Sequence, residues 1–444
     1  MRASVVRHGT KAGLAAALAL SLAACADGPQ LPRLGDLNPF AEKEVPLPGT
    51  RVPVALADKS GIEVSSIDRP IALPQPQAND SWRQPGGSPA NVPGHLALNA
   101  SLRQVWSASA GTGSSSYGRL TASPIVVEGR IYTLDANGRV TAFTTGGASS
   151  WRVSLTPANE KDYKGFGGGL ASDGGRIIAA TGFGYVYALD AQSGKKIWEK
   201  NIGAPMRSSP TVAEGKAFVL TSDGFAIALS TSDGNELWRH QGLPEKAAIL
   251  TNSSPAVDGD TVVFPYPSGD LVALRASTGQ PVWSESLART RVASSLGSMT
   301  DAARPAIDQG TVFGVGHSGR MVATSARSGE RIWSLNVPGI QSPAVVGDMV
   351  FVVDTTGTLM GITRRDGKVI WSAKLPEATT WSGPVAAGGR LWLASNKGQL
   401  VGVEAMTGKV ESKLPLPGPA YIAPVVAGGR LYVLTDAAQL VAFQ

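Results

Sequence analysis

The chain has 444 residues, of which 53 are glycine and 17% are charged. Abundant glycine, few charges and 43% apolar residues are typical of a large all-β protein with many tight turns, and they exclude a helical bundle, a coiled coil and a disordered chain. A single cysteine excludes an intramolecular disulfide, and four scattered histidines argue against a His-rich metal site.

The N-terminus has the form of a secretory leader. Three cationic residues precede a short Ala/Leu run from Gly13 to Leu22, which is too short for a stable bilayer span. The only cysteine, Cys25, directly follows Leu-Ala-Ala and resembles the lipidated cysteine of a bacterial lipobox. We therefore expect a lipoprotein signal peptide over residues 1–24 and a lipid anchor on Cys25. The alternative is an ordinary cleaved leader in which this cysteine has no role.

Two features of the leader region bear on location and partners. Ala26, rather than an aspartate, follows the cysteine, which favours the outer membrane over retention in the inner membrane. Three of the six excess positive charges of the chain lie in the leader, so the mature protein is nearly neutral. This balance, without any Lys/Arg cluster, predicts no nucleic-acid partner.

Residues 25–80 contain nine prolines between Pro29 and Pro76. Proline at this density blocks helices and interior strands. We expect an extended, mobile spacer between the lipid anchor and a folded domain over residues 81–444.

From about residue 120 the chain repeats itself every 38–50 residues, a period that indicates a propeller or a solenoid. One marker is a small residue, or its equivalent, followed by a proline at the start of an apolar run. It occurs at Ser123-Pro124, Ser209-Pro210, Ser254-Pro255, Arg304-Pro305, Ser342-Pro343, Gly383-Pro384 and Ala423-Pro424, with Leu170–Asp173 filling the remaining place. A second marker, a turn followed by a β-like run, also occurs eight times, from Gly138 to Ala438. Both markers predict eight repeats built from hairpins.

A third marker, glycine followed four residues later by tryptophan, is incomplete. It occurs at Trp151, Trp198, Trp238, Trp283, Trp333 and Trp371. The seventh repeat has Ser412 in place of tryptophan, and the eighth has no fourth strand. An unassigned strand around Trp106 lies upstream of the first repeat. We predict that it closes the last blade beside residues 438–443, since closure removes exposed sheet edges.

The repeated tryptophans favour a structural role over a ring of aromatic binding sites. Six equivalent copies do not suit one central ligand, so we expect each to pack against the next blade or the preceding turn. Trp381 breaks the pattern and is a candidate for exposure on one face.

The Gly-x-x-x-Trp unit after an Ala-Leu strand resembles the repeats of the quinoprotein (PQQ-like) β-propellers, from about Trp82 to Gln444. Together with the lipobox, the chain is similar to the BamB family, the eight-bladed lipoproteins of the outer-membrane β-barrel assembly (BAM) machinery. The resemblance implies an all-β, eight-bladed propeller of four-stranded antiparallel blades. It also implies a non-catalytic scaffold, anchored by lipid to the outer membrane and facing the periplasm, that aids the folding and insertion of outer-membrane proteins. The implied partners are the BamA periplasmic domains, other BAM subunits and nascent outer-membrane proteins.

The same resemblance points to partner-binding loops that lead into the first strands of consecutive mid-chain blades. Placed on this chain, they are residues 204–208 and 299–304. Met206 with Arg207 matches an apolar-plus-arginine pattern, and Asp301 matches an acidic one, with Arg304 in the same loop. The first loop is shorter than the family pattern, and the second has one acid rather than two. The alternative for each residue is a solvated or salt-bridged loop side chain.

Two alternatives concern function. A periplasmic PQQ-dependent dehydrogenase resembles this chain in its repeats, but such enzymes generally use Ca²⁺ with oxygen ligands, a catalytic aspartate and often a vicinal disulfide, which one cysteine cannot form. The acids near blade ends, Asp135, Asp190, Asp223, Asp354 and Asp436, sit in turn positions, where aspartate usually bonds its own backbone. We expect no catalytic residue, cofactor or metal. The second alternative is a quinoprotein-like lipoprotein with another protein partner.

Overall fold

The computed structural model describes residues 64–65, 71–116, 118–158, 160, 167–206, 208–242, 253–288, 302–317, 319–376, 378 and 380–444. Within these ranges the chain forms 32 β-strands, arranged in eight four-stranded antiparallel sheets. The prediction of an eight-bladed propeller is confirmed. In the same ranges, no helix is long and apolar enough to cross a membrane. Cys25 and the leader lie outside the described residues.

Each blade is a meander whose strands follow one another from the axis outward. From inner to outer strand, the first four blades are β2 (Ile125–Val127), β3 (Arg130–Leu134), β4 (Arg139–Thr144) and β5 (Ser149–Ser154); β6 (Gly168–Asp173), β7 (Arg176–Thr181), β8 (Tyr185–Asp190) and β9 (Lys196–Asn201); β10 (Thr211–Ala213), β11 (Lys216–Leu220), β12 (Phe225–Ser230) and β13 (Glu236–Gln241); β14 (Ala256–Asp258), β15 (Thr261–Pro265), β16 (Asp270–Arg275) and β17 (Pro281–Ser286).

The remaining blades continue in the same order. They are β18 (Ala306–Asp308), β19 (Thr311–Val315), β20 (Met321–Ser325) and β21 (Arg331–Leu335); β22 (Ala344–Val346), β23 (Met349–Val353), β24 (Thr358–Thr363) and β25 (Val369–Lys374); β26 (Trp381–Ala387), β27 (Arg390–Ser395), β28 (Gln399–Glu404) and β29 (Val410–Pro415); and β30 (Val425–Ala427), β31 (Arg430–Leu434), β32 (Gln439–Phe443) and β1 (Gln104–Ser109).

The core lies between neighbouring blades rather than at one centre. The three inner strands of each blade are buried over most of their length, whereas the outer strands alternate between exposed and half-buried residues. Ile125 and Tyr132 of blade 1, for example, share one apolar cluster with Leu170 and Ile177 of blade 2. Because each blade packs against a neighbour on both sides, both faces of its sheet must be apolar. This requirement explains the near-continuous apolar runs of the inner strands.

The predicted closure of the ring is confirmed. Strand β1 pairs antiparallel with β32, with Trp106 opposite Ala442 and Ser107 opposite Val441. The N-terminal strand thus supplies the outer strand of the eighth blade. Because the N-terminal strand and the last repeat share one sheet, β32 is not left as an unpaired edge strand.

The outer-strand tryptophans latch each blade to the next. In seven blades the indole Nε1 donates to a backbone oxygen in the outermost turn of the following blade, at 2.8–3.1 Å. The pairs are Trp106 with Thr145, Trp151 with Ala191, Trp198 with Thr231, Trp238 with Ala276, Trp283 with Ala326, Trp333 with Arg364, and Trp371 with Ala405. The predicted packing against the next blade is therefore confirmed.

The glycine of each Gly-x-x-x-Trp unit receives the indole of the preceding blade. A Cβ added at Gly279 would lie 2.6 Å from Trp238. The equivalent glycine of the seventh repeat, Gly408, receives Trp371 in the same way, with a Cβ at 2.6 Å, although Ser412 stands in place of its own tryptophan. This arrangement explains Ser412. The turn that would receive its indole does not exist, because the outer strand of blade 8 comes from the other end of the chain.

The expectation for Trp381 is wrong. This residue is the first of β26 and is only 3% exposed. Its side chain belongs to the apolar cluster between blades 6 and 7, so packing at the start of an unusually long inner strand replaces the predicted exposure.

Candidate partner-binding loops and an axial cavity

One face of the propeller carries the connections between blades. In an antiparallel meander, the link from the outer strand of one blade to the inner strand of the next emerges on the same face as the turn between the second and third strands. We call this the loop face. The bridges of Met206 to Thr221 and of Ala302 to Gly316 join the two kinds of connection. The predicted loops therefore share one face.

The two loops do not enter consecutive blades, as the resemblance suggested. Residues 204–208 lead into β10 of blade 3, and residues 299–304 lead into β18 of blade 5. The connection into blade 4, between Gln241 and Ala256, lies between them. A partner that touches both loops must therefore span at least three blades.

The structure describes two of the four predicted site residues, Met206 and Arg304. Met206 has no exposed surface and packs in the cluster between blades 2 and 3, among residues such as Ile202 and Val219. Its backbone N–H donates to the Thr181 oxygen at 3.1 Å, so Met206 fastens the base of its loop. Arg207 and Asp301 lie outside the described residues.

Arg304 faces the axis. Just before it, the Ala303 N–H donates to the Val315 oxygen at 2.8 Å, and just after Pro305 the inner strand of blade 5 begins. The side chain lines a cavity on the propeller axis. The sequence predicts a loop contact for Arg304, whereas the structure places this residue at the axial cavity.

The floor of this cavity is formed by residues 77–98, which we call the axial segment. It follows the inner strands around the ring. Asn79 Nδ2 donates to the Val426 oxygen of blade 8 at 2.7 Å, and Trp82 exchanges backbone hydrogen bonds with Val126 of blade 1. The following contacts are Arg83 with Ser172, Gln84 with Val212, Pro89 with Val257, Ala90 with Ile307 and Leu96 with Ala386, in blades 2, 3, 4, 5 and 7.

The sixth blade is the exception in this circuit. No hydrogen bond among the described residues joins its Val345 to the axial segment. Here the segment passes through Pro93, which has no N–H, and Gly94, whose φ is +76°. The resulting gap is a cavity of about 40 Å³, and its polar lining includes Arg304, Asn91, Gln341 and Ser342.

Asn91 holds the segment in place beside this cavity. Its Nδ2 donates to the oxygens of Pro255 and Pro305, at 3.2 and 2.8 Å, in blades 4 and 5. The sequence predicts no role for Asn91. The local signal is a Gly- and Pro-rich stretch of the kind that forms turns.

The turn aspartates behave largely as expected. Asp135 Oδ1 accepts from the N–H groups of Asn137 and Arg139, and Asp190 and Asp354 accept in the same way within their own turns. Asp223 and Asp436 instead accept hydroxyl hydrogen bonds, from Thr221 and Ser114. These bonds favour the charged carboxylate, and hydrogen bonds from Ser193 hold the pKa of Asp190 below its usual value. Such aspartates stabilise turns.

Known proteins resemble the chain at the levels of sequence and fold. The family model described as outer membrane protein assembly factor BamB matches residues 136–373 and 362–444. Assembly factors of this name from Burkholderia pseudomallei and Nitrosomonas eutropha are 30% and 26% identical, over 41% and 40% of this chain and 45% and 42% of theirs. The chain thus spans less than half the length of these two relatives.

Two solved structures share the fold. BamB from Moraxella catarrhalis superposes with a TM-score of 0.65 at 18% identity, covering 78% of this chain and all of that one. A quinohemoprotein alcohol dehydrogenase from Comamonas testosteroni reaches the same TM-score at 15% identity, covering 82% of this chain and 80% of its own. At these identities the structures support the propeller fold alone. The family model, by contrast, matches well over half of the sequence, and the chain belongs to the family of the outer membrane protein assembly factor BamB.

Proposed function

We propose that the protein is a non-catalytic scaffold lipoprotein of the BAM complex. A signal peptide over residues 1–24 directs export, and lipid on Cys25 anchors the protein to the outer membrane on its periplasmic side. Residues 25–80 connect the anchor to the propeller; the expected mobility does not extend to the end of this segment, because Ile71, Leu73 and Asn79 already pack against the blades. The propeller binds the BamA periplasmic domains and other BAM subunits and aids the folding and insertion of nascent outer-membrane proteins. The match to the BamB family over residues 136–444 is the observation that carries this proposal.

The geometry supports binding through the loop face. Seven tryptophan latches join neighbouring blades, and loops held on such a scaffold suit an extended partner surface. Arg207 and Asp301, which flank the connection into blade 4, are the proposed contacts with BamA. Met206 positions its loop by burial, and Arg304 lies at the base of the other loop.

The dehydrogenase alternative requires a site for a quinone and Ca²⁺. The axial cavity of about 40 Å³ holds roughly three water-sized groups, which is too few for a tricyclic cofactor. Its lining contains no carboxylate in the part of the chain that the structure describes, whereas Ca²⁺ is usually held by several. The described residues also include no cluster of three or more His, Cys, Asp or Glu side chains that could hold a metal. The residues present do not fit this cofactor, and we derive no reaction from it.

Charge reversal on the loop face tests the partner assignment. We expect Arg207→Glu combined with Asp301→Lys to reduce recovery of BamA with the tagged protein at least tenfold. The matched control is Lys195→Glu combined with Glu330→Lys. Both control residues are exposed and lie in turns between third and fourth strands, on the opposite face. Undiminished recovery by the loop-face variant contradicts the site, and crosslinks from this face to another protein without BamA support the alternative partner.

The anchor has its own test. With Cys25→Ser, we expect no incorporation of labelled palmitate and release of the protein from the outer-membrane fraction, with an unchanged propeller by circular dichroism. Retention of the label in this variant contradicts lipidation at Cys25.

A further inference from the structure

Arg304 occupies a repeated position in which other blades have small residues. The residue before the proline of the inner strand is serine in blades 1, 3, 4 and 6, glycine in blade 7 and alanine in blade 8. Because these residues surround the axis, a serine there leaves space and an arginine fills it with a cation. Blade 5 therefore places one guanidinium group where the repeat requires none.

Among the described residues this guanidinium group has no counter-charge. Its Nε is buried without an acceptor. Burial lowers the pKa of Arg304 to about 10, so the side chain remains cationic at neutral pH. The side chain as a whole is half-buried, with its Nε buried. A charged group that is partly withdrawn from water without a partner is costly in a folded protein, and the arrangement favours an anion that is not part of the chain.

Two further orphan groups belong to residues that line the same cavity. The indole Nε1 of Trp82 is a buried donor without an acceptor, and Asn91 Oδ1 is a buried acceptor without a donor, since the Asn91 amide nitrogen is already bound to Pro255 and Pro305. Gln341 Oε1 accepts from the Gly383 N–H at 3.4 Å, which leaves its amide N–H₂ as another donor. A ligand that forms hydrogen bonds with all of these groups needs negatively charged oxygens and one hydroxyl group.

We propose that the axial cavity binds a small oxyanion that carries a hydroxyl group, with Arg304 as its charge partner. Hydrogen phosphate is the simplest ion of this class. Its oxygens accept from Arg304, Trp82 and Gln341, and its hydroxyl donates to Asn91. A volume of about 40 Å³ matches a few non-hydrogen atoms and favours a free ion over a phosphate esterified to a headgroup. This assignment is independent of the proposed binding of BamA.

Calorimetric titration of the full-length protein with inorganic phosphate, in a chloride buffer at pH 7, tests the proposal. We expect saturable binding, at least tenfold weaker with sulfate, which lacks a hydroxyl group at this pH, and with glycerol 3-phosphate, which is too large. Arg304→Gln should weaken phosphate binding at least tenfold. Arg327→Gln, the same change at an exposed site of blade 5, should leave it unchanged.

Each comparison can overturn part of the assignment. Absence of phosphate binding by the wild type, or equal binding by Arg304→Gln, overturns the site. Sulfate binding as tight as phosphate binding overturns the role of Asn91, and equal binding of glycerol 3-phosphate overturns the assignment to a free ion. Trp82→Phe removes the indole donor together with part of the ring volume and should weaken binding about three- to tenfold. Because Arg304→Gln removes an unpaired charge, its unliganded thermal midpoint should be no lower than that of the wild type.

Discussion

The latch between blades can be tested with two alanine substitutions in one blade. Gly279 and Gly259 both lie in turns of blade 4 with positive φ, +73° and +53°. A Cβ at Gly279 would lie 2.6 Å from Trp238 Cδ2, whereas a Cβ at Gly259 would have no atom within 4 Å. The pair therefore separates the contact with the indole from the backbone conformation of glycine.

The expected costs differ because only one site is crowded. Alanine in the left-handed region costs about 1–2 kcal/mol at either position. At Gly279 the indole must also move, although it is 8% exposed and donates to the Ala276 oxygen at 3.0 Å. Overpacking of this kind adds about 1–3 kcal/mol. We expect Gly279→Ala to lower the free energy of unfolding by about 2–5 kcal/mol and Gly259→Ala by about 1–2 kcal/mol.

Urea unfolding followed by far-ultraviolet circular dichroism measures both costs. A double-mutant cycle identifies the contact. In a Trp238→Leu background, Gly279→Ala should cost no more than Gly259→Ala, which gives a coupling energy of about 1–3 kcal/mol. Equal costs in the wild-type background, or a cost of Gly279→Ala that does not change when Trp238 is replaced, would refute the latch.

Three further predictions concern the axial segment, pH and the seventh blade. Asn91→Leu leaves the Pro305 oxygen unpaired, whereas the Pro255 oxygen keeps its hydrogen bond from Thr211 Oγ1 at 2.6 Å. It should lower the free energy of unfolding by about 1–3 kcal/mol, measured by urea unfolding. Burial lowers the pKa of His240 in the folded state. The contribution of the neutral imidazole to stability is therefore present above the unfolded pKa of ~6.5 and is lost as the pH falls below that value. His240→Gln should flatten the pH dependence of the thermal midpoint between about pH 7 and 5. Ser412→Trp should not raise the thermal midpoint, because no turn exists to receive the indole.

The repetitive part of the fold could be predicted from the sequence. Eight copies of two markers identify the blades, and the missing tryptophan at Ser412 together with the surplus one at Trp106 identifies the closure. These signals are strong because each has a steric origin: an indole needs a glycine in the next blade. When a sequence pattern repeats for a steric reason, the blades can be counted from it without knowledge of the structure.

The axial segment and the cavity could not be predicted in the same way. Asn91 and Gln84 contact blades more than 100 residues away in the chain, and nothing local in the sequence indicates such partners. Met206 and Arg304 were selected as loop residues, but one is buried between blades and the other lines the axis. The direction of these two side chains depends on how each loop packs against its neighbouring turn. Neither the composition of the chain nor the spacing of its residues determines that packing.

The closing junction explains why the N-terminal segment is part of the ring. Between blades 7 and 8 the tryptophan latch is absent, since Ser412 takes its place. The apolar cluster that spans blades 7, 8 and 1 includes Trp82 and Leu96 of the axial segment. Asn79 and Leu96 also bind the inner strands of blades 8 and 7. The junction without an outer latch is therefore held from the axis, and the same segment leaves blade 6, whose tryptophan latch is intact, to form one wall of the cavity.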